Sequence, residues 1–311
     1  METIKHENVK FMPELPRSEP VIRDHTLDIK RQTCLRLYFY TAVLGYRERG
    51  NTVYLNWGIV YHKFRETLER TGDLKSALRV VLELWPKLGG DPTVGTKWDF
   101  MTLERLLASC KASYQHWLRE RGQKRIEVLP EFIEKHLVVT LKDGITQIGA
   151  RVDQLVRWTG RLWGRDFKTT SKLGKFYERT LDPNDQFDRQ SFIESKLTGE
   201  HVEGILVEVL YNTKKEGPEV KGFLTQRTRE QLQTFEDDQC YATEQLADLR
   251  KRDQWPMNKK HCPFCAFRVV CKAPNERSAV AQLKNNFDHK PWDFLREGTE
   301  DADGNSDSAV T

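Results

Sequence analysis

The chain has 311 residues, of which 38% are hydrophobic and 31% are charged, and its formal net charge is +4. This composition is typical of a soluble globular protein with one large core or two modest ones. No run of eighteen apolar residues occurs, and residues 1–10 lack an apolar stretch, so the sequence argues against a transmembrane helix and a signal peptide. We therefore expect no membrane partner and a cytoplasmic location, in the host cytoplasm if a phage carries the gene.

The N-terminal third is predicted to be mostly helical. Residues 1–24 are rich in proline and charge and predict a flexible leader. Apolar residues recur at helical spacing through 25–125. The expected helices cover 27–46, the stretch from a cap at Asn56 to Gly72, 74–84 and 98–119, with a loop over 89–95.

Residues 126–255 predict a core of strands and helices. The expected strands cover 136–142, 147–156, 161–169, 204–211 and 220–226, and the expected helices cover 185–197 and 229–252. A cysteine-rich segment follows over 256–280. The tail over 281–311 is predicted to be disordered and acidic from about 297.

Two aspartates of one predicted hairpin could build a metal site. Asp166 follows Asp153 by thirteen positions, and a turn centred between Thr159 and Gly160 would place the two acids opposite each other, with Lys168 on the same face. Facing carboxylates repel each other unless a cation lies between them, so this register favours a divalent metal ion. The alternative is an exposed hairpin face with ordinary charges.

The same register makes the opposite face of the hairpin largely apolar. The facing pairs on that side are Val152 with Phe167 and Val156 with Trp163, and Arg165 opposite Gln154 is the exception. Basic residues continue after the second aspartate, at Lys168, Lys172, Lys175 and Arg179. Such a basic segment fits a phosphate-bearing substrate, although it is more often only a solvated surface.

Four cysteines are candidate ligands of an inorganic centre. Three of them, Cys262, Cys265 and Cys271, have the spacing C-x2-C-x5-C, and Cys34 is the best fourth candidate. Four thiolates suit an iron–sulfur cluster or a structural zinc ion, and His261 is the rival fourth ligand in a zinc site. The remaining cysteines, Cys110 and Cys240, are predicted to be structural.

These motifs resemble the PD-(D/E)XK nuclease superfamily, in its RecB-like branch of AddB-type and CRISPR-associated exonucleases. The matching stretches are Gly-Ile-Val-Tyr-His at 58–62, Ile-Gly-Ala-Arg-Val-Asp at 148–153, Asp-Phe-Lys-Thr at 166–169 and the four cysteines. The resemblance implies an α/β, restriction-endonuclease-like core with a central mixed sheet flanked by helices, a helical N-terminal insertion and a C-terminal iron–sulfur clasp. It also implies DNA as the substrate and a [4Fe–4S] cluster rather than zinc.

The resemblance also implies roles for single residues. His62, Asp153 and Asp166 would hold Mg²⁺ or Mn²⁺ together with the backbone carbonyl of Phe167, and Lys168 would polarise the attacking water. The alternative for His62 is a hydrogen-bonded core histidine, and the alternative for Lys168 is a surface lysine that pairs with Asp166.

The sequence departs from the family pattern in three places. Val152 stands where the family name has proline, and Asp166 stands where many relatives have glutamate, but both variants suit the same chemistry. The helix after the hairpin has the expected glutamine, Gln186, but Gln190 replaces the aromatic residue usual four positions later, and Phe192 follows it by two. An additional acid could be Glu134, which competes with Glu131 and Glu127 before the first strand.

The expected function is a metal-dependent exonuclease that acts on single-stranded DNA or DNA ends. Recombination, repair, phage DNA processing and CRISPR adaptation all fit, with helicase, recombination or CRISPR-adaptation proteins as partners. One alternative is a catalytically silent iron–sulfur subunit that binds DNA or assembles a recombination or integration complex. A second alternative is a zinc-stapled interaction protein.

Overall fold

The computed structural model of the protein describes residues 11–18, 20–50, 52–91, 99–123, 126–213, 215 and 217–296. Its helices are α1 (His25–Thr33), α2 (Leu35–Tyr38), α3 (Val53–Thr71), α4 (Leu74–Lys87), α5 (Leu103–Gln123), α6 (Lys175–Arg179), α7 (Asp185–Thr198), α8 (Arg229–Arg252), α9 (Arg268–Cys271) and α10 (Glu276–Asn286). Its strands are β1 (Ile22–Arg23), β2 (Tyr46–Glu48), β3 (Ile126–Val128), β4 (Lys135–Thr140), β5 (Gln147–Val152), β6 (Gln154–Trp158), β7 (Arg161–Thr170), β8 (Val202–Tyr211), β9 (Glu219–Leu224) and β10 (Phe287–His289).

The described residues form two compact units, each built from separate stretches of the chain. Unit 1 takes its residues from Met1–Gly50, Thr140–Gly149 and Glu236–Leu295. Unit 2 takes its residues from Asn51–Val139, Ala150–Phe235 and Arg296–Thr311.

Unit 2 contains a five-stranded mixed sheet. The strand order is β3-β6-β7-β8-β9. The central pair, β7 and β8, is parallel, and the other pairs are antiparallel. The chain between β7 and β8 includes α6 and α7, as a parallel pair requires a crossover. The mixed sheet with flanking helices confirms the predicted α/β fold with a central mixed sheet.

Both faces of this sheet are covered by helices. Neighbouring residues of a strand point to opposite faces, and in β8 both Val209 and Leu210 are buried. Leu210 and Phe167 pack in one core cluster with Phe64 and other residues of α3, α4 and α5. Val209 packs in another cluster with Phe187 of α7. The strands carrying the motif acids therefore lie between two helical layers.

The beginning of α3 differs from the prediction. Asn56 was expected to cap this helix, but the cap is Thr52, whose side chain accepts a hydrogen bond from Leu55 N at 3.3 Å. Asn56 lies inside the first turn, where its side chain bonds Leu88 O. The helix ends at Gly72, as predicted, in a left-handed conformation with φ 68°. The predicted start of the fourth helix at residue 98 lies outside the described residues, and α5 begins at Leu103.

The predicted strand 147–156 is wrong as a single strand, because it is interrupted at Asp153. Residues on either side belong to β5 and β6. From Gln154 onward the predicted register is confirmed, since Gln154 pairs with Arg165 and Val156 with Trp163. Asp153 lies just beyond this paired stretch, so its side chain is free to turn toward other elements.

Unit 1 is built around a core in which aromatic residues from distant parts of the chain meet. Tyr38, Phe39, Trp255 and Phe267 are all buried there. β2 pairs with β10 in antiparallel fashion, and β1 pairs in parallel with the first residues of β5. The sequence predicted no element over 281–296, whereas α10 and β10 lie partly in this range. The predicted disorder beyond residue 297 lies outside the described residues.

Two N-terminal predictions need correction. The flexible leader extends too far, because Met12 and Leu15 are buried in the unit 1 core and Arg17 pairs with Asp253 at 2.8 Å. The predicted helix 27–46 is interrupted at Cys34, which has extended backbone angles. It resumes as α2 and a π-helical turn over Phe39–Val43. Among the described residues, no helix is both long and apolar enough to cross a membrane.

Candidate active site

Three potential metal ligands in unit 2 converge on one point. They are His62 on α3, Glu134 directly before β4 and Asp153 between β5 and β6, and one ligand atom of each lies within 4.8 Å of the others. His62 Nδ1 is 3.3 Å from Asp153 Oδ1 and 3.7 Å from Glu134 Oε1. A nitrogen and two carboxylate oxygens in this arrangement could bind a divalent cation.

Asp153 is fixed by the backbone of the neighbouring strand. Its Oδ2 accepts a hydrogen bond from Phe167 N at 2.6 Å, while its Oδ1 faces His62. Burial alone would raise the pKa of Asp153, but the charge and hydrogen bonds of His62 and Phe167 N hold it below its ordinary value. Asp153 is therefore a carboxylate that stays ionised in a buried position.

Asp166 has a different set of partners. Its Oδ1 accepts hydrogen bonds from Lys168 Nζ and Gln186 Nε2, each at 2.9 Å. Lys168 Nζ also donates to Gln186 Oε1 at 3.0 Å, which closes a triangle of three side chains. Burial and the charge of Asp153 raise the pKa of Asp166, and Lys168 opposes this shift. The two aspartates thus have pKa values shifted in opposite directions.

The carboxylates beside His62 favour the protonated form of its ring. Burial favours its neutral ring, but the carboxylates of Asp153 and Glu134 outweigh burial and raise the pKa of His62 to about 10. A histidine that binds a metal must be neutral at the coordinating nitrogen, so metal binding has to displace a proton here.

Glu134 is one of three competing acids in the sequence, and the structure places it in this group. Glu134 has φ 49°, a left-handed conformation that is uncommon for a residue with a side chain. Its N–H donates to Asp153 O at 3.0 Å, and Arg151 holds its Oε2 at 2.9 Å. Among the described residues, its buried Oε1 has no hydrogen-bond partner. Its place before the first strand was the only sequence signal, and Glu131 shares that signal.

A buried polar stripe on α7 continues behind Gln186. Its members, Gln186, Gln190 and Glu194, are spaced four residues apart and therefore share one helix face. Gln190 Nε2 donates to Glu194 Oε1 at 3.0 Å. A Cβ at Gly164 of β7 would lie 2.4 Å from Ile205 Cδ1 and 2.6 Å from Glu194 Oε2, so glycine leaves room for these side chains. Gln190, which stands where the family usually has an aromatic residue, therefore forms a hydrogen bond within α7.

A second group of potential metal ligands, His116, Glu120 and Glu208, belongs to a salt-bridge network. His116 Nε2 lies 3.4 Å from Glu120 Oε1 and 3.8 Å from Glu208 Oε2. Arg165 pairs with both glutamates, and Arg65 Nη1 lies 2.5 Å from Glu208 Oε1. Because two guanidinium groups already neutralise these carboxylates, the group has no charge that requires a cation. It also explains Arg165, the exception on the otherwise apolar hairpin face.

Phe167 contributes both its backbone N–H and its side-chain ring to the structure of the site. Its buried ring lies beneath Arg65 at 4.1 Å and Arg165 at 5.2 Å, measured from guanidinium carbon to ring centre. These contacts hold the centre of β7 against α3, and its N–H stays directed at Asp153. The pairing of Phe167 with Glu208 in β8 fixes the strand further.

The four candidate cluster cysteines line one small pocket in unit 1. Cys34, Cys262, Cys265 and Cys271 surround it together with His261 and Tyr40. Cys34 Sγ accepts a hydrogen bond from Asn258 N at 3.3 Å, and this contact accounts for the break of the predicted helix at Cys34. Burial raises the pKa values of Cys265 and Cys271. Cys110 and Cys240 lie elsewhere, on α5 and α8.

Comparison with known proteins gives one family match. A family model described as the PD-(D/E)XK nuclease superfamily matches residues 30–272. No curated protein matches the chain. A solved structure from Eubacterium rectale named "Putative exonuclease" has a TM-score of 0.49 and 12% identity, covering 88% of this chain and 96% of that one. Another, named SSO0001, has a TM-score of 0.26 and 13% identity, covering 80% and 97%.

Proposed function

The chain belongs to the PD-(D/E)XK nuclease superfamily, whose model spans 30–272, and from this premise we propose that it is a metal-dependent deoxyribonuclease of the RecB-like branch. It hydrolyses phosphodiester bonds as an exonuclease on single-stranded DNA or DNA ends. One observation carries this proposal. The ligand atoms of His62, Glu134 and Asp153 lie within 4.8 Å of one another, and Asp153 accepts a hydrogen bond from β7, the strand that carries Asp166 and Lys168.

The donor atoms of the site fit Mg²⁺ or Mn²⁺. Carboxylate oxygens and one imidazole nitrogen are the ligands of such hard cations, and the buried Oε1 of Glu134 has no hydrogen-bond partner among the described residues. His62, Glu134, Asp153 and Asp166 would hold the ion, together with the carbonyl of Phe167. The bound ion would supply Lewis-acid polarisation of the phosphate and a more acidic water molecule.

Lys168 and Gln186 form the part of the site that acts on the substrate directly. Lys168 Nζ lies 2.9 Å from Asp166 Oδ1, where an ammonium group can steady the negative charge that grows on the phosphate during attack. Gln186 contacts both Asp166 and Lys168, so it restricts the ammonium group to one position. This shared hydrogen bonding favours the catalytic interpretation of Lys168 over a simple surface ion pair.

The cysteine pocket is proposed to hold a [4Fe–4S] cluster, with zinc as the less favoured occupant. The support is that Cys34 and the three cysteines of 262–271 line the same pocket although more than two hundred residues separate them in the chain. A centre held by such distant ligands would restrict the unfolded chain and stabilise unit 1. Its role in this proposal is structural.

The biological setting follows from the proposed chemistry. DNA is the substrate, and helicase, recombination or CRISPR-adaptation proteins are the proposed partners. The proposed location is the cytoplasm, where DNA and divalent cations are both present.

The proposal is tested with purified protein, Mg²⁺ or Mn²⁺, and DNA labelled at one end. Metal-dependent shortening of the labelled strand is expected, and blocking either terminus reveals from which end digestion begins. Protein that binds the metal ion but leaves both single-stranded and duplex DNA intact would overturn the nuclease proposal. That outcome would favour a catalytically silent DNA-binding subunit.

A further inference from the structure

Phe176 on α6 is held in an exposed position next to the candidate active site. Its side chain is 85% exposed. The next residue, Tyr177, points inward and packs against the cluster around Phe187 and Val207. The ring centre of Phe187 lies 5.7 Å from Lys168 Nζ, so α6 packs close to the candidate active site. Single exposed aromatic residues are common on protein surfaces. Phe176 differs because the helix that carries it lies next to the candidate active site.

A second exposed ring borders the same end of β7. Tyr54, in the first turn of α3, is 38% exposed, and its hydroxyl donates to Thr169 O at 2.9 Å. Thr169 directly follows Lys168. The hydroxyl of Tyr54 therefore lies at the backbone next to Lys168. We call these two exposed rings, Tyr54 and Phe176, the aromatic rim.

The segment that carries Phe176 is basic. Lys172, Lys175 and Arg179 are exposed, and Glu178 is the only acid among residues 172–179. Within the part of the chain that the structure describes, none of these three cations has an ion-pair partner. Unpaired cations interleaved with exposed aromatic rings are the features by which proteins bind single-stranded nucleic acid, through phosphates and stacked bases respectively.

We propose that the aromatic rim binds single-stranded DNA, with Phe176 stacking on a base close to the phosphate that is cut. This inference rests on the proposed nuclease function and adds the residue that selects single-stranded over duplex DNA. A base in a single strand can present its face to the ring of Phe176. A base inside a duplex is already stacked and paired, so duplex DNA would contact only the exposed cations Lys172, Lys175 and Arg179.

The test compares the binding of labelled single-stranded and duplex oligonucleotides by fluorescence anisotropy in EDTA, where a metal-dependent nuclease cannot cut. Phe176→Ala should weaken single-strand binding roughly five- to hundredfold, while duplex binding changes little. Phe176→Trp should restore binding, and Phe176→Leu should not. The matched control is Tyr241→Ala, because Tyr241 is an aromatic residue that is 60% exposed on α8. All four variants should keep the thermal midpoint of the wild type, since the changes are at the surface.

An oligonucleotide series with one abasic position identifies the stacked base. At that position the abasic change and Phe176→Ala should each weaken binding, and their combination should weaken it no further. Unchanged single-strand binding in Phe176→Ala, or an equal loss on duplex DNA or in Tyr241→Ala, would overturn the stacking proposal. If the wild type shows this stacking but cuts no DNA when Mn²⁺ is added, the stacking proposal stands and the nuclease proposal fails.

Discussion

Replacing Glu194 with glutamine tests whether an uncharged carboxylic acid is buried behind the candidate active site. Glu194 lies on the buried face of α7, and among the described residues its Oε2 has no hydrogen-bond partner. Burial, followed by the charges of Asp166 and Asp153, raises the pKa of Glu194 well above its ordinary value of 4.5. In the unfolded chain the same side chain titrates near that ordinary value.

The sign and size of the effect follow from proton linkage. Because the folded pKa exceeds the unfolded pKa, the folded protein binds this proton more tightly, and its stability falls as pH rises between the two values. Each pH unit in this window lowers the free energy of unfolding by about 1.4 kcal/mol. Glutamine resembles the protonated acid, keeps an oxygen for Gln190 Nε2 and takes up no proton. The advantage of Glu194→Gln over the wild type should therefore grow by about 1.4 kcal/mol per pH unit.

Equilibrium unfolding in urea at several pH values between about 5 and 8 measures this difference, because the other titrating groups are common to both proteins. Glu244→Gln is the matched control, since Glu244 is an exposed glutamate on α8 and its removal should leave the profile unchanged. Parallel stability profiles for Glu194→Gln and the wild type would refute the reasoning, because they would mean that Glu194 is ionised in the folded protein.

Two further predictions concern the metal and cluster sites. Glu134→Gln should weaken Mn²⁺ binding at least about tenfold in isothermal titration calorimetry, because it removes a carboxylate charge from the ligand group. The exposed Glu131→Gln is its control, and an equal affinity in Glu134→Gln and the wild type would exclude Glu134 as a ligand. Cys262→Ala should lose most of the iron and lower the thermal midpoint, whereas Cys240→Ala, outside the cysteine pocket, should change neither. Full iron content in Cys262→Ala would remove Cys262 from the ligand set.

The elements that the sequence predicted well are those with a strong local pattern. α7 and α8 have bounds close to the expected 185–197 and 229–252, because their caps and apolar spacing are local signals. The pairing of Val156 with Trp163 was predictable because a turn at Gly160 and alternating side chains leave one register that buries the apolar face.

The features that the sequence did not predict depend on contacts between distant residues. Asp153 interrupts a strand because its side chain bonds Phe167 N and its carbonyl accepts from Glu134 N. Glu134 reaches the site through a left-handed backbone that no local pattern requires. Cys34 interrupts a predicted helix because its sulfur faces Asn258. The spacing of the motifs indicated residues that lie close together. The backbone geometry that orients these residues depends on distant contacts, which the spacing does not predict.

Cleavage and metal binding measured side by side test the proposed nuclease function most directly. End-labelled single-stranded DNA is incubated with the wild type, Asp153→Ala and Lys168→Ala in Mn²⁺, and calorimetry gives the metal affinity of each protein. The wild type should cut only when metal is present, and Asp153→Ala should lose both metal binding and cleavage. Lys168→Ala should bind metal but cut at least about a hundredfold more slowly, because it lacks the charge that stabilises the transition state. Undiminished cleavage in either variant would contradict the account and place the active site elsewhere.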